Sequence, residues 1–148
     1  MIFHISIPAR NPDLVAATIA RLICGQHFPF HPVEGARIVL FGDAHGSAIE
    51  IYPDNIELDV GAEMLEPRRA PASPQRFSTH AAIATPLSQA EVLAISGQAG
   101  WIARECDRGP FTLLEVWVEN RLLLELLTPS SQEEYRRSMT AENWRRWS

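Results

Sequence analysis

The chain has 148 residues, 46% hydrophobic and 21% charged, with a net charge of −5. That is the make-up of one ordinary globular protein with enough apolar material for a core, which excludes a fibre or a disordered tail. The acidic balance offers no basic face to nucleic acid, and no apolar run approaches the roughly 20 residues of a membrane-spanning helix.

The start, Met1 to His4, lacks the basic and long apolar regions of a secretory signal, so a cytoplasmic location is expected. A strand follows at about residues 2 to 8, with Phe3, Ile5 and Ile7 facing one way and His4 and Ser6 the other. Asn11 and Pro12 are N-cap and first-turn residues for a helix whose apolar stripe is Leu14, Val15, Ile19, Leu22 and Ile23, stopping near Gly25. The proline-rich run from Phe28 to Val33 can only be an edge strand or an irregular segment. Ala36 to Phe41 and Ser47 to Tyr52, separated by Gly42 to Gly46, predict a hairpin. Residues 1–53 therefore read β, α, weak β, β, β.

Residues 54–77 scatter prolines among polar and small residues and read as a surface linker, with a short ordered piece around Ile56 to Val60. Residues 78–129 restart the pattern. His80 is expected in a strand, and Ser88 with Glu91 forms a capping box for a helix carrying Val92, Leu93 and Ile95 and ending near Gly97 or Gly100. Trp101 to Cys106 and Thr112 to Val118 read as strands around an Asp107 to Pro110 turn, and the chain returns through Glu119 to Arg121 into a last strand, Leu122 to Leu127. The tail, 130–148, has a capping signal at Ser131 to Glu134 and a second start at Thr140. It predicts one or two short helices whose apolar face is Tyr135, Met139, Trp144 and Trp147.

The chemistry lies in the polar residues of the strands. Glu125 stands among five leucines, where a carboxylate is costly unless it faces water or meets a partner such as a metal. Glu50 occupies a similar apolar run that also ends at a proline, 75 residues earlier, and His4 and His80 lie 76 residues apart in the first strands of their halves. A three-residue turn after Val118 puts Leu122, Leu124 and Leu126 inside together with Leu114, Val116 and Val118, and turns Glu115 and Trp117 to the face that carries Glu125. The bland alternatives stay open: the histidine and glutamate of each half can simply bond each other, and Glu115 can be an edge residue facing water. His27, His31 and His45 fall in loop-like stretches and are expected to be solvated, as are Arg68, Arg69, Arg136 and Arg137. Cys24 and Cys106, without metal-ligand spacing, are expected to be reduced thiols. Asp107, Arg108 and Tyr52 are placed near the mouth of the site.

Two βαβββ modules with a histidine in the first strand and a glutamate in the fourth resemble the vicinal oxygen chelate superfamily, over about residues 2 to 129. That family includes glyoxalase I, extradiol dioxygenases and the bleomycin and fosfomycin resistance proteins. The resemblance implies an α+β fold of two tandem βαβββ modules forming an open half-barrel. It also implies a divalent metal (Ni, Co, Zn, Mn or Fe) on His4, Glu50, His80 and Glu125, with Glu50 or Glu125 as catalytic base. Such a metal leaves positions for two substrate oxygens and acidifies the neighbouring C–H, as in an isomerase or lyase. No organic cofactor is implied. No basic residues match those that anchor glutathione, which argues against glyoxalase I activity itself. The alternatives are a metal-free small-molecule binding protein of the bleomycin-resistance type and an extradiol-type dioxygenase. The expected partners are a small-molecule substrate and a second copy of the chain, as a homodimer.

Overall fold

The structure is a computed structural model that describes residues 3–60, 65–71, 80–140 and 142–143. The chain divides into two compact units, Met1–Arg76 and Phe77–Ser148. Among the described residues no helix is long and apolar enough to cross a membrane.

The first unit opens with β1 (His4–Ala9) and α1 (Pro12–Ile23), continues through β2 (Gln26–Pro29), β3 (Arg37–Leu40) and β4 (Ala48–Pro53), and adds β5 (Ile56–Val60) and β6 (Leu65–Arg69). Helix α1 starts where its sequence directs: the Asn11 side chain accepts the Leu14 N–H, and Pro12 fills the first turn, where no N–H is needed. It buries Val15, Ile19, Leu22 and Ile23, whereas Leu14, expected in that stripe, is 42% exposed. It ends with Cys24 in the left-handed region, at φ 54°. Gly25 follows for a different reason, since a Cβ there would collide with the backbone oxygen of Leu40.

The sheet runs β1-β4-β3-β2. Strands β3 and β4 form the expected hairpin, β2 is an edge strand ending at Pro29, and β1 pairs with β4 in parallel. Ile49 and Ile51 are fully buried and pack inward, which turns Glu50 to the opposite face. After Pro53 the short ordered piece expected around Ile56 to Val60 is β5, while β6 is unexpected within the linker. Ile56–Val60 pairs antiparallel with Leu65–Arg69, with Leu58 opposite Pro67. Arg68, read as solvated, pairs with Glu57 at 3.1 Å.

The second unit repeats the topology with β7 (Ala81–Ala84), α2 (Gln89–Gln98), β8 (Ile102–Asp107), β9 (Thr112–Val118) and β10 (Leu122–Leu127), then α3 (Pro129–Ser138). Its sheet order is β7-β10-β9-β8, with β7 and β10 parallel. The capping box of α2 forms as read: Ser88 Oγ accepts the Glu91 N–H and the Ser88 N–H donates to the Glu91 carboxylate. Leu122 pairs with Val118, so the turn does have three residues, Glu119 to Arg121, with Glu119 and Asn120 at φ 48° and 59°. Asn120 tolerates that region and also ties the turn down, accepting the Ile102 N–H at 2.7 Å and donating to the Gly100 carbonyl at 3.1 Å.

Two expectations for this unit are corrected. His80 precedes β7 rather than lying within it; residues 72–79, just before it, lie outside the described residues. Helix α3 begins at Pro129, not at Ser131, because Thr128 is the N-cap and accepts the Ser131 N–H, with a proline at the first helical position as in α1. Tyr135 meets Phe111 edge-on at 4.9 Å, so the tail packs on its own unit there. Thr140 accepts the Asn143 N–H as a cap would, while Trp144 and Trp147 lie outside the described residues.

Candidate functional site

Each unit presents its glutamate from the strand next to the unit's first strand, but the neighbours differ. In the parallel β1–β4 register Ser6 lies beside Glu50 and His4 beside Ala48, so histidine and carboxylate stand diagonally. Their closest atoms, His4 Nε2 and Glu50 Oε1, are 4.0 Å apart. The other carboxylate oxygen, Oε2, accepts the Ser6 hydroxyl at 2.8 Å and the Tyr52 hydroxyl at 3.1 Å. Two neutral donors thus hold Oε2 and leave Oε1 on the histidine's side. Tyr52 is buried, with the edge of Phe30 against it at 6.0 Å. Its phenol is pushed up to about 12, first by burial and then by the Glu50 carboxylate, both of which disfavour phenolate.

The second unit repeats the diagonal. Glu125 lies beside Ala82, so His80 stands two residues before that level, as His4 does relative to Ser6. His80 is exposed. Glu125, however, is held by a charge: Arg108 Nη2 donates to its Oε1 at 2.7 Å. The same nitrogen donates to Glu115 Oε1 at 3.0 Å, and Arg104 Nε reaches Glu115 Oε2 at 2.7 Å. Glu115 is directly opposite Glu125 on β10 and directly opposite Arg104 on β8. Two carboxylates facing each other across a strand pair repel, and the guanidinium between them removes that repulsion. Glu115 is only 5% exposed. Burial pushes its carboxyl up, but the hydrogen bond and charge of Arg104, with further bonds from Trp117 and Arg108, outweigh burial and hold it below the usual carboxylate range. The Glu125 hydrogen bond in turn pushes the Arg108 guanidinium further up.

As donors for a divalent ion, the two pairs are not equivalent. A metal bonded at roughly 2 Å to each of His4 Nε2 and Glu50 Oε1 needs the two atoms nearer than 4.0 Å for an octahedral or tetrahedral angle, and His4, with its side chain 58% exposed, has room to turn. That pair fits. Glu125 does not fit while Arg108 holds it, because guanidinium and cation would compete for one oxygen. Within either unit, among the described residues, no group of three or more His, Cys, Asp and Glu is close enough to hold an ion.

No protein-family model matches the sequence, and no curated relative does. Solved structures do match. The fosfomycin resistance protein FosX from Listeria monocytogenes, in complex with Mn(II) and sulfate, is 14% identical with a TM-score of 0.60, covering 93% of this chain and 96% of that one. FosX from Mesorhizobium loti is 13% identical with a TM-score of 0.57, covering 90% of this chain and 95% of that one. A glyoxylase/bleomycin resistance protein/dioxygenase domain from Frankia is 10% identical with a TM-score of 0.55, covering 86% and 96%. The chain therefore shares the fold of these FosX and glyoxylase/bleomycin resistance/dioxygenase-domain structures.

Within that fold several sequence expectations for the site change. His27 belongs to β2 rather than to a loop, and His27, His31 and His45 are all exposed. Asp107 serves its own turn, accepting the Gly109 N–H at 2.7 Å. Tyr52 and Arg108 contact the glutamates directly. Glu115 is neither an edge residue nor facing water; it is the buried centre of the ion-pair ladder. Arg104 was not singled out from the sequence. The symmetric hairpin about Gly109 and Pro110 places it opposite Glu115, and that register was the available signal.

Proposed function

We propose that the chain is a metal-dependent enzyme of the glyoxalase type, acting on a small molecule by proton abstraction beside a metal-chelated oxygen. The candidate ligands are His4 with Glu50 in the first unit and His80 with Glu125 in the second, and Glu50 is the base. The observation that carries this reading is the arrangement at Glu50: one carboxylate oxygen fixed by Ser6 and Tyr52, the other turned to His4 at 4.0 Å. A carboxylate oxygen held in place by its partner oxygen's hydroxyl bonds can accept a proton from a fixed direction without reorganising. The bound ion supplies Lewis acidity, polarising a substrate oxygen. The Mn(II) in FosX of the same fold supports a divalent ion here.

The test is elemental analysis of the purified chain with and without added Mn, Ni, Co, Zn and Fe. The proposal expects close to one ion per chain, most of it lost in His4→Ala and in His80→Ala. Glu50→Gln is expected to abolish turnover on α-keto or hemithioacetal substrates while retaining part of the metal. A chain that takes up none of these ions sinks the reading.

A metal-free small-molecule binding protein is the second reading, and the guanidinium on Glu125 favours it. It expects no change in melting temperature with chelator and a rise with an aromatic or amphipathic ligand. The proposal also includes a homodimer, and light scattering at the monomer mass of 16.6 kDa would rule that out.

A further inference from the structure

Strand register maps the face of the first sheet that carries Glu50. Phe28 of β2 lies opposite Ile38 of β3, Ile38 opposite Glu50 of β4, and Glu50 beside Ser6 of β1, so these four form one row across the sheet. Leu40 stands one level along β3 on the same face, opposite Ala48. Resting on the reading above only in taking Glu50 as the reacting end, we infer that the substrate carries an uncharged, phenyl-sized apolar substituent next to its reacting carbon, and that Ile38, Leu40 and Phe28 form the wall that receives it.

The opposite face of this sheet is already covered: Val39, Ile49 and Ile51 are fully buried where α1 packs on β3 and β4. On the Glu50 face, by contrast, Phe28 is 44% and Leu40 36% exposed. Large apolar side chains left open beside a hydroxyl-bound carboxylate form a patch of the kind that takes up hydrocarbon. Its charge decides what kind. Arg37 is the one cation-bearing residue of β1 to β4 besides the histidines, and it faces away, paired with Asp13 of α1 at 2.6 Å. An anionic substituent on β2 and β3 would therefore meet the Glu50 carboxylate and no countercharge from these strands. Its size follows from the row. Neighbouring strands lie about 4.8 Å apart, so Ile38 and Phe28 stand about 5 and 10 Å from Glu50, the reach of a phenyl group on the carbon next to the one that loses its proton.

The experiment measures binding of three α-hydroxyketones to the full chain by calorimetry, with and without Mn(II): hydroxyacetone, 2-hydroxyacetophenone and 2-hydroxyacetophenone bearing a para carboxylate. The phenyl ketone is expected to bind about tenfold tighter than the other two, the value of about 50 Å² of apolar surface laid on one wall. Phe28→Ala and Leu40→Ala, shown to be folded by circular dichroism, are each expected to cut that advantage about threefold. Leu40→Arg is expected to turn the preference toward the carboxylate compound, a gain that damage to the fold cannot produce. Equal affinities, a wild-type preference for the carboxylate, failure of the phenyl ketone to bind, or an advantage unchanged in all three variants overturns the inference. Mn(II) uptake without a phenyl preference overturns the wall and leaves the metal reading standing. A phenyl preference without Mn(II) uptake does the reverse.

Discussion

Replacing Glu115 by Gln isolates the centre of the ion-pair ladder with almost no change in volume. The wild-type carboxylate is 5% exposed and accepts charged N–H groups from Arg104 at 2.7 Å and from Arg108 at 3.0 Å. Breaking a fully buried pair costs about 3–5 kcal/mol, chiefly through the stranded partner. Here the partners are not stranded: the Arg104 side chain is 65% exposed and Arg108 keeps Glu125. The cost therefore falls to about 2 kcal/mol, the value of one or two charge-assisted bonds. For a chain of this length that lowers the melting temperature by about 4–8 °C.

The pH dependence has a definite sign. The folded Glu115 carboxyl is held below its ordinary value of 4.5, so the stabilisation is fully present above that value and is lost as pH falls through the folded pKa. Thermal melts of wild type and Glu115→Gln followed by circular dichroism are expected to differ fully at neutral pH and to converge in acid. Equal melting temperatures at neutral pH, or a gap that persists unchanged in strong acid, would refute the reasoning.

Three further outcomes are expected. Tyr52 is expected to ionise only at about 12, and Glu50→Gln should bring it down only part of the way, because burial remains; an ultraviolet difference titration, assigned with Tyr52→Phe, that puts Tyr52 near 10.0 contradicts this. Leu124→Ala opens a cavity at a position only 1% exposed and should cost about 2–5 kcal/mol in urea unfolding; a loss under about 1 kcal/mol means that the central strand is not packed as described. Gly25→Ala drives a methyl into the Leu40 carbonyl and should destabilise the first unit by about 2 kcal/mol or more, read as a lowered melting temperature; a variant as stable as wild type removes the close approach.

Much of the fold was legible because short-range rules govern it. Asn11 with Pro12, and Ser88 with Glu91, mark helix starts through bonds made within four residues, and both helices begin there. The three-residue turn at Glu119 to Arg121 sets which face of β9 meets which face of β10, so Leu124 could be assigned to the core and Glu125 and Glu115 to one shared face from the sequence alone. The hairpin about Gly109 and Pro110 carries the same information for Arg104, placing it opposite Glu115.

The parallel pairings of β1 with β4 and of β7 with β10 join residues more than forty positions apart, and no turn sets their register. For that reason the sequence could place a histidine and a glutamate in each half but not their diagonal offset. The partners of the two glutamates belong to tertiary structure as well. Ser6 and Tyr52 converge on Glu50 because three side chains from two adjacent strands share one face. Arg108, in the turn after β8 rather than in a strand, extends its side chain past Glu115 of β9 to Glu125 of β10. Spacing showed two equivalent carboxylates; packing made one hydroxyl-bound and the other guanidinium-bound, because side-chain reach across strands depends on distances that a linear pattern does not contain.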